Sequence, residues 1–324
     1  MNSRKTAGAV LGTLGGLIAL TAASAEIFYN LAINTKSPIH MSKLNNLVQK
    51  ATNTSADEEE ASAKYSGMTG TPEMKKWYAD EGEDVYITSD SLRLHGKRFK
   101  NSGSDYALIC HGYTSKAKHM AGFVKKFYEL GFNVLAVDAR AHGDSEGAKI
   151  GMGWPERRDI AGWIKLILSW DPDARIILHG VSMGAATTMN VSAKELPGYV
   201  RAFVEDCGFT SVWDEFSLQL KEMFGLPAFP LMHCTSLLCR MKYGWSFRDA
   251  SPLESVSRCD KPMLFIHGDR DTFVPFSMMQ PLYDAKPEPK ACWVAPGSDH
   301  ARAYNDHPAE YTRVVRDFLA DWVE

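Results

Sequence analysis

The sequence lacks a strong charge of either sign. Its 324 residues carry 36 lysines and arginines against 39 aspartates and glutamates, which gives a formal net charge of −3. Proteins that bind nucleic acid through its phosphates concentrate positive charge, so this balance argues against a nucleic-acid partner. Internal repeats and long low-complexity runs are also absent, so nothing indicates a repeat architecture.

Recognisable metal motifs and disulfide patterns are missing as well. No pair of histidines has HExxH-type spacing, and the sequence implies neither a metal nor a cofactor. The six cysteines are even in number, and an exported protein could use them in disulfides. Cysteines at predicted strand ends are more typical of small buried hydrophobic residues: Cys110, Cys207 and Cys292. The remaining three are the only plausible partners for a bridge, which we do not predict: Cys234, Cys239 and Cys259.

Strand-like and helix-like segments alternate over most of the chain. With 45% hydrophobic residues the chain can bury a full core, and the alternation predicts one α/β domain rather than two halves. We predict this domain at 84–324, after an N-terminal segment at 1–33 and a spacer at 34–83 with a short helix near 72–78. Strands are predicted near 84–88, 92–99, 105–110, 133–138, 175–181, 200–206, 262–267 and 291–295. Helices are predicted near 116–130, 155–169, 183–195, 276–285 and 307–322.

Ser182 lies at the centre of the pentapeptide Gly180-Val181-Ser182-Met183-Gly184, directly after an apolar strand-like run. A GxSxG segment between a strand and a helix forms a tight turn that exposes the serine Oγ, and its glycines remove side chains that would crowd it. The small residues at 185–189 favour a helix packed close to the sheet. The alternative is a helix N-cap serine in a glycine-rich turn. We predict a nucleophile elbow.

Three other loops follow predicted strands. The strand at 105–110 leads into His111-Gly112-Tyr113-Thr114. Beside a nucleophile elbow, a loop of this kind can supply one oxyanion-hole N–H; the backbone amides of Tyr113 and Met183 are the predicted donors. Asp269 and Asp271 follow the strand at 262–267, and the loop after the last strand ends in His300. Catalytic groups collect at the carboxyl ends of parallel strands. The chain order is therefore Ser, Asp, His.

These segments together resemble the α/β-hydrolase superfamily, and they are most similar to its serine-aminopeptidase-like and monoacylglycerol-lipase-like branch. The resemblance runs from about Asp84 to the C-terminus and includes, besides GxSxG, an HGxxS-like segment, the turn from Asp138 to Ser145 and HGxxDxxVP. It implies an α/β-hydrolase fold: a mostly parallel eight-stranded sheet with helices on both faces and a helical lid after the sixth strand. It also implies that Asp271 is the triad acid and His300 the base. Ala141 departs from the family, which usually has glycine there.

The expected chemistry explains these residue types. A serine hydroxyl is a weak nucleophile until an imidazole removes its proton, and a carboxylate must hold that imidazole. Ser182 is expected to attack, His300 to transfer the proton and Asp271 to orient His300, with Asp269 as the alternative acid. The predicted function is a serine hydrolase of carboxylic esters without cofactor. Alternatives are a peptidase or amidase, an acyltransferase, and a binding protein, which the complete triad argues against.

Between residues 206 and 261 the alternation stops and apolar side chains accumulate. We predict a helical lid at about 208–258, whose methionines and phenylalanines form an adaptable wall around the acyl part of a small or lipid-like ester substrate. Trp213, Phe216 and Phe224 are the predicted substrate-binding residues. Ordinary packing onto the domain is the alternative.

The N-terminus carries a separate signal. Arg4 and Lys5 precede a charge-free stretch at 6–25, which as a helix would extend roughly 30 Å and could cross a bilayer. Residues 23–25 also fit a signal-peptidase site, so cleavage competes with retention as an anchor, which we favour. The apolar run at 27–33 is interpreted as an interfacial extension, similar to that of single-pass bacterial hydrolases. In both cases the basic residues place the catalytic domain outside the cytoplasm.

Overall fold

A computed structural model of the protein describes residues 19–44 and 70–323. Its centre is one sheet of eight strands: β1 (Glu83–Ser89), β2 (Leu92–Phe99), β3 (Asp105–Cys110), β4 (Asn133–Val137), β5 (Arg175–Val181), β6 (Val200–Asp206), β7 (Met263–Gly268) and β8 (Lys290–Ala295). The spatial order is β1-β2-β4-β3-β5-β6-β7-β8. The pairs β1–β2 and β2–β4 are antiparallel, and all other neighbouring pairs are parallel. The predicted mostly parallel, eight-stranded sheet is confirmed.

Helices cover both faces of this sheet. The helices of the described residues are α1 (19–32), α2 (Pro72–Glu81), α3 (Ala121–Glu129), α4 (Glu156–Trp170), α5 (Met183–Ser192), α6 (Val212–Phe224), α7 (Leu231–Tyr243), α8 (Pro252–Val256), α9 (Met279–Ala285), α10 (Ala303–Asp306) and α11 (Pro308–Val323), together with helical residues at 41–44. Short 3-10 turns precede α3 at Ala117–Met120 and α9 at Phe276–Met278. Helices α3 and α11 pack on one face, and α4, α5 and α9 pack on the other.

The central strands are buried on both sides, which explains why their sequences are continuous apolar runs. On β3, Ala107 and Ile109 contact the core under α3 and α11, whereas Leu108 faces the core under α4 and α5. This alternation follows from the two-residue period of a strand. Because the carboxyl ends of the parallel strands share one edge, the loops after β3, β5, β7 and β8 meet there.

Helices α6 and α7 form a layer of their own after β6, in the segment predicted as a lid. Ser211 caps α6 by accepting a hydrogen bond from the Asp214 amide, and Gly225 ends the helix at a φ of 65°. Helix α8 differs from them, because its Val256 belongs to the core between the sheet and α5. The layer above the strand edge therefore consists of α6 and α7.

The described part of the N-terminal segment packs on the α/β domain. One face of α1 and the residue after it is buried at the helical spacing i, i+3, i+4, i+7, i+8: Ala25, Phe28, Tyr29, Ala32 and Ile33. Most of these side chains pack against α6 and α7, and the Ile33 carbonyl accepts a hydrogen bond from the Ile150 amide at 2.9 Å. Four residues of the run at 27–33, which was predicted as an interfacial extension, are thus buried against the domain.

The beginning of the predicted spacer is also bound to the domain. Asn34 forms an antiparallel bridge with Lys149, and the Thr35 amide donates to the Ala148 carbonyl. Residues 6–18 of the charge-free stretch lie outside the described residues. Within 19–44 and 70–323, no helix combines the length and apolar character that crossing a membrane requires.

Candidate active site

Ser182 lies in the turn between β5 and α5, with a φ of 56° that non-glycine residues seldom adopt. The chain passes very close to itself here. A Cβ atom on Gly184 would lie 2.1 Å from the Cys110 carbonyl oxygen, and one on Gly180 would lie 2.2 Å from the Gly184 oxygen. The Ser182 amide donates to the Asp206 carbonyl at 2.8 Å. The turn therefore requires both glycines, and it holds the serine at the carboxyl edge of the sheet.

The structure brings Ser182, His300 and Asp271 together. Ser182 Oγ lies 3.0 Å from His300 Nε2, and His300 Nδ1 lies 2.7 Å from Asp271 Oδ2. The other carboxylate oxygen of Asp271 accepts hydrogen bonds from the amides of Phe273 and Val274 at 3.0 and 2.9 Å. These contacts fix the carboxylate with one oxygen facing the histidine.

Two opposing effects act on the charge of Asp271. Burial raises the pKa of this carboxyl, but hydrogen bonds from His267 and His300 outweigh it and bring the pKa below its ordinary value. Asp271 is therefore ionised at neutral pH. It can orient His300 and stabilise a positive charge on the imidazole ring.

Two other polar side chains, those of Asp269 and His142, hold loops. Asp269 accepts a hydrogen bond from the Gly297 amide at 2.6 Å, so it ties the loop after β7 to the loop after β8. His142 Nε2 accepts from the Thr114 amide at 3.2 Å. Burial lowers the pKa of His142 to about 3, which keeps its ring neutral and able to accept. Neither Asp269 nor His142 contacts the Ser182 hydroxyl.

Tyr113 and Met183, whose backbone amides are the predicted oxyanion-hole donors, line the same cavity as Ser182. In the described part of the chain, neither N–H donates to a protein acceptor, so both are free for a substrate oxygen. The Tyr113 hydroxyl donates to the Ala32 carbonyl at 2.9 Å. Helix α1 thereby helps to position the loop that carries this amide.

A cavity of about 220 Å³ opens above Ser182. Of the three predicted substrate-binding residues, Phe216 and Phe224 line it and Trp213 does not. Trp213 lies in the first turn of α6, where its ring packs against His233 of α7 at 4.8 Å and under the Arg248 guanidinium at 3.8 Å. The assignment of Trp213 to the substrate site is therefore corrected: it joins the two lid helices.

Several lining residues were missed by the sequence analysis. Phe28 and Leu31 come from α1, Met41 from the segment predicted as a spacer, and Glu215 and Gln219 from α6. The helical spacing of apolar residues from 25 to 33 was the available signal for α1. Glu215 and Gln219 are four residues apart, about one helical turn, and this spacing was the available signal that they share one face of α6.

Among the residues that the structure describes, two groups of side chains have the composition of a metal site: Cys207, Asp271 and His300, and His95, Asp138 and Asp144. In the first, Asp271 and His300 bind each other, and burial raises the pKa of the Cys207 thiol well above its ordinary value, which leaves a poor ligand. In the second, Asp138 accepts hydrogen bonds from the His95 ring and the Ala117 amide. Hydrogen bonding thus accounts for both groups.

Comparison with known proteins agrees with this architecture. Residues 105–229 match the family described as "Serine aminopeptidase, S33". The chain is 30% identical over 213 residues to the uncharacterized protein YqkD of Bacillus subtilis, a match that covers 65% of this chain and 70% of YqkD. The chain belongs to the α/β-hydrolases of the serine aminopeptidase family.

Among the proteins similar to this α/β-hydrolase are an esterase and a lipase. The esterase Pf2001 of Pyrococcus furiosus shares 26% identity and a TM-score of 0.63, over 79% of this chain and 97% of the esterase. Lysophosphatidylserine lipase ABHD12 of Danio rerio is 27% identical over 197 residues, which is 57% of this chain and 48% of the lipase. The chain is thus similar to an esterase and to a lipase.

Proposed function

We propose that the protein is a serine hydrolase that cleaves carboxylic esters through an acyl-enzyme intermediate. The observation that carries the proposal is the hydrogen-bonded chain from Ser182 Oγ through His300 to Asp271, at 3.0 and 2.7 Å, at the floor of a mostly apolar cavity. Ser182 is the nucleophile, His300 the general base and Asp271 the orienting acid. The amides of Tyr113 and Met183 form the oxyanion hole.

Each proton has a place in this reaction. As Oγ bonds to the carbonyl carbon, its proton passes to His300 Nε2, and the carbonyl oxygen takes the negative charge between the two amides. The tetrahedral species collapses, the ester C–O bond breaks, and His300 returns the proton to the leaving alcohol. Water then attacks the acyl-enzyme with the same proton transfers, which releases the carboxylic acid and free Ser182.

The cavity wall supports an ester with a substantial apolar part. Its walls are mostly aromatic, aliphatic and methionine side chains, among them Phe28, Phe216 and Met223. Each buried methylene contributes up to about 0.8 kcal/mol to binding until the cavity is full. The relatives named an esterase and a lipase support the same substrate class.

The family description supports a serine aminopeptidase as the second candidate, because the same triad can cleave an amide.

The test compares kcat/KM for 4-nitrophenyl esters from acetate to octanoate with that for leucine 4-nitroanilide. We expect kcat/KM to rise with acyl length and to exceed the value for the anilide. Ser182→Ala should lose roughly 10⁴- to 10⁶-fold in kcat with an unchanged circular dichroism spectrum. Faster cleavage of the anilide than of any ester would favour the aminopeptidase, and a flat response to acyl length would contradict the apolar pocket.

We further propose that the N-terminal segment anchors the protein in a membrane, with the catalytic domain outside the cytoplasm. Support comes from the charge-free stretch at 6–25 behind Arg4 and Lys5. Helix α1 continues through the alternative cleavage site at 23–25, and Ala25 is buried, which favours retention over cleavage. Protease added to intact cells should digest the domain. Protection until lysis would contradict the location, and an N-terminus at Glu26 would contradict the anchor.

A further inference from the structure

One wall of the cavity carries an acid that the proposed mechanism does not use. Glu215, on α6, lines the cavity and is only 3% exposed. Its Oε1 accepts a hydrogen bond from Gln219 Nε2 at 3.1 Å. Its Oε2 is buried and has no partner within residues 19–44 and 70–323. A buried polar atom without a partner is costly, so such an atom in a binding cavity indicates a ligand group.

The hydrogen-bonding capacity around Glu215 is limited. Gln219 Nε2 donates both to Glu215 and to the Phe273 carbonyl, the latter at 2.8 Å, which uses both of its N–H groups. Gln219 therefore has no N–H left for a ligand, and Oε2 of Glu215 is the buried oxygen of this pair that has no partner among the described residues. A hydroxyl brings one donor and can also accept, which matches a single carboxyl oxygen, whereas an ammonium group brings three N–H donors.

The charge of the wall points in the same direction. Burial raises the pKa of Glu215 to about 8, so at neutral pH the carboxyl holds its proton and can both donate and accept. None of the described residues that line the cavity is a lysine or arginine. A phosphate or carboxylate on the substrate would find no positive partner there.

We propose that Glu215 determines specificity by hydrogen-bonding a hydroxyl group of the ester, so that the cavity selects neutral, hydroxyl-bearing esters. This inference rests on the proposed ester hydrolysis. The hydroxyl can belong to the alcohol or to the acyl part, because both parts of an ester meet at Ser182. Glu215 is a binding residue here and takes no part in the bond-breaking steps.

The test uses matched pairs of esters that differ in one hydroxyl. Propyl octanoate against 3-hydroxypropyl octanoate probes the alcohol part, and methyl octanoate against methyl 8-hydroxyoctanoate probes the acyl part, with acid release followed by titration at pH 7. We expect one hydroxylated ester to have a kcat/KM about three- to tenfold higher than its partner, as one hydrogen bond provides. Methyl 8-aminooctanoate places an ammonium at the same position, and a higher kcat/KM for it than for the hydroxy ester would overturn the proposal.

Variants separate recognition from mere support of the helix. Glu215→Met keeps the length of the side chain and should abolish the preference, with Glu215→Leu as a second apolar variant. Glu215→Gln should retain it, because an amide also donates and accepts. Glu222→Leu removes an exposed carboxylate from the same helix and should leave the preference unchanged.

The outcomes also distinguish this inference from the proposed function. Equal rates for both members of each pair in the wild type would overturn the role of Glu215 while leaving ester hydrolysis intact, and this holds even where the apolar variants do not fold. A preference that survives in Glu215→Met would do the same. A folded wild-type protein that cleaves none of these esters would overturn the proposed function itself.

Discussion

Replacing Asp271 by asparagine removes the charge of the proposed triad while keeping its shape. The Asp271 side chain is fully buried, 2.7 Å from His300 Nδ1. The asparagine oxygen can still accept the amides of Phe273 and Val274, so its NH₂ group must face Nδ1. Nδ1 then accepts a hydrogen bond, the ring proton moves to Nε2, and Nε2 can no longer take the proton of Ser182. We expect kcat to fall by about 10⁴ at neutral pH, which corresponds to about 5.5 kcal/mol in the activation free energy.

Asp269→Asn is the matched control, two residues away in the same loop. The asparagine oxygen can still accept from the Gly297 amide, to which Asp269 is bonded at 2.6 Å, but without the negative charge this hydrogen bond is weaker. We therefore expect a loss of stability on the order of 1 kcal/mol and a kcat within a few-fold of wild type. The assay is kcat for 4-nitrophenyl octanoate, with thermal unfolding of each variant. An inactive Asp269→Asn beside an active Asp271→Asn would refute the assignment and make Asp269 the triad acid.

Three other predictions concern stability. Phe28→Ala should lower the free energy of unfolding in urea by about 3 kcal/mol, because the Phe28 ring is buried against the Phe216 ring at a centroid distance of 5.9 Å. Ile27→Ala, at a 57% exposed position of the same helix, should change the free energy of unfolding by less than about 0.5 kcal/mol. Similar losses in the two variants would contradict the packing of α1. Ala141→Gly should raise the free energy of unfolding by about 0.5–1 kcal/mol, since Ala141 has a φ of 62°, and a lower Tm would count against this. Burial raises the pKa of four acids to about 7 or 8: Glu156, Glu205, Asp206 and Glu215. The stabilising contribution of these acids is complete below their ordinary pKa and is lost as pH rises through the raised values. Tm should therefore fall between about pH 6.5 and 8.5. A Tm that rises over this range would contradict the burial of neutral acids.

The sheet and the catalytic loops could be predicted because each depends on local sequence. Strands β3 to β7 are short apolar runs bounded by polar loops, and their predicted bounds agree with the structure to within one residue. The spacing around Gly180 and Gly184 reflects a backbone approach that admits no side chain. The positive φ of Ala141 likewise explains why the family usually has glycine there. Such local constraints can be recognised in the amino-acid sequence.

The features that were missed depend on which elements meet in space. An apolar helix such as α1 carries the same signal whether lipid or protein covers it, and only contacts such as Phe28 on Phe216 decide between them. Trp213 and Phe216 are both aromatic residues of α6, yet one faces α7 and the other the cavity. The burial of Glu215 likewise depends on the elements that surround α6 in the fold. A sequence pattern gives the face of a helix, and the partner of that face comes from the tertiary fold.

The proposed role of Ser182 as a nucleophile activated by His300 is tested most directly by covalent labelling. The purified protein is treated with a fluorophosphonate at pH 7, and the adduct is located by mass spectrometry of its peptides. We predict one adduct, on Ser182, which forms at least about 10³-fold more slowly in His300→Ala because the hydroxyl then has no base. An adduct on another residue, or an equal labelling rate in His300→Ala, would contradict the claim.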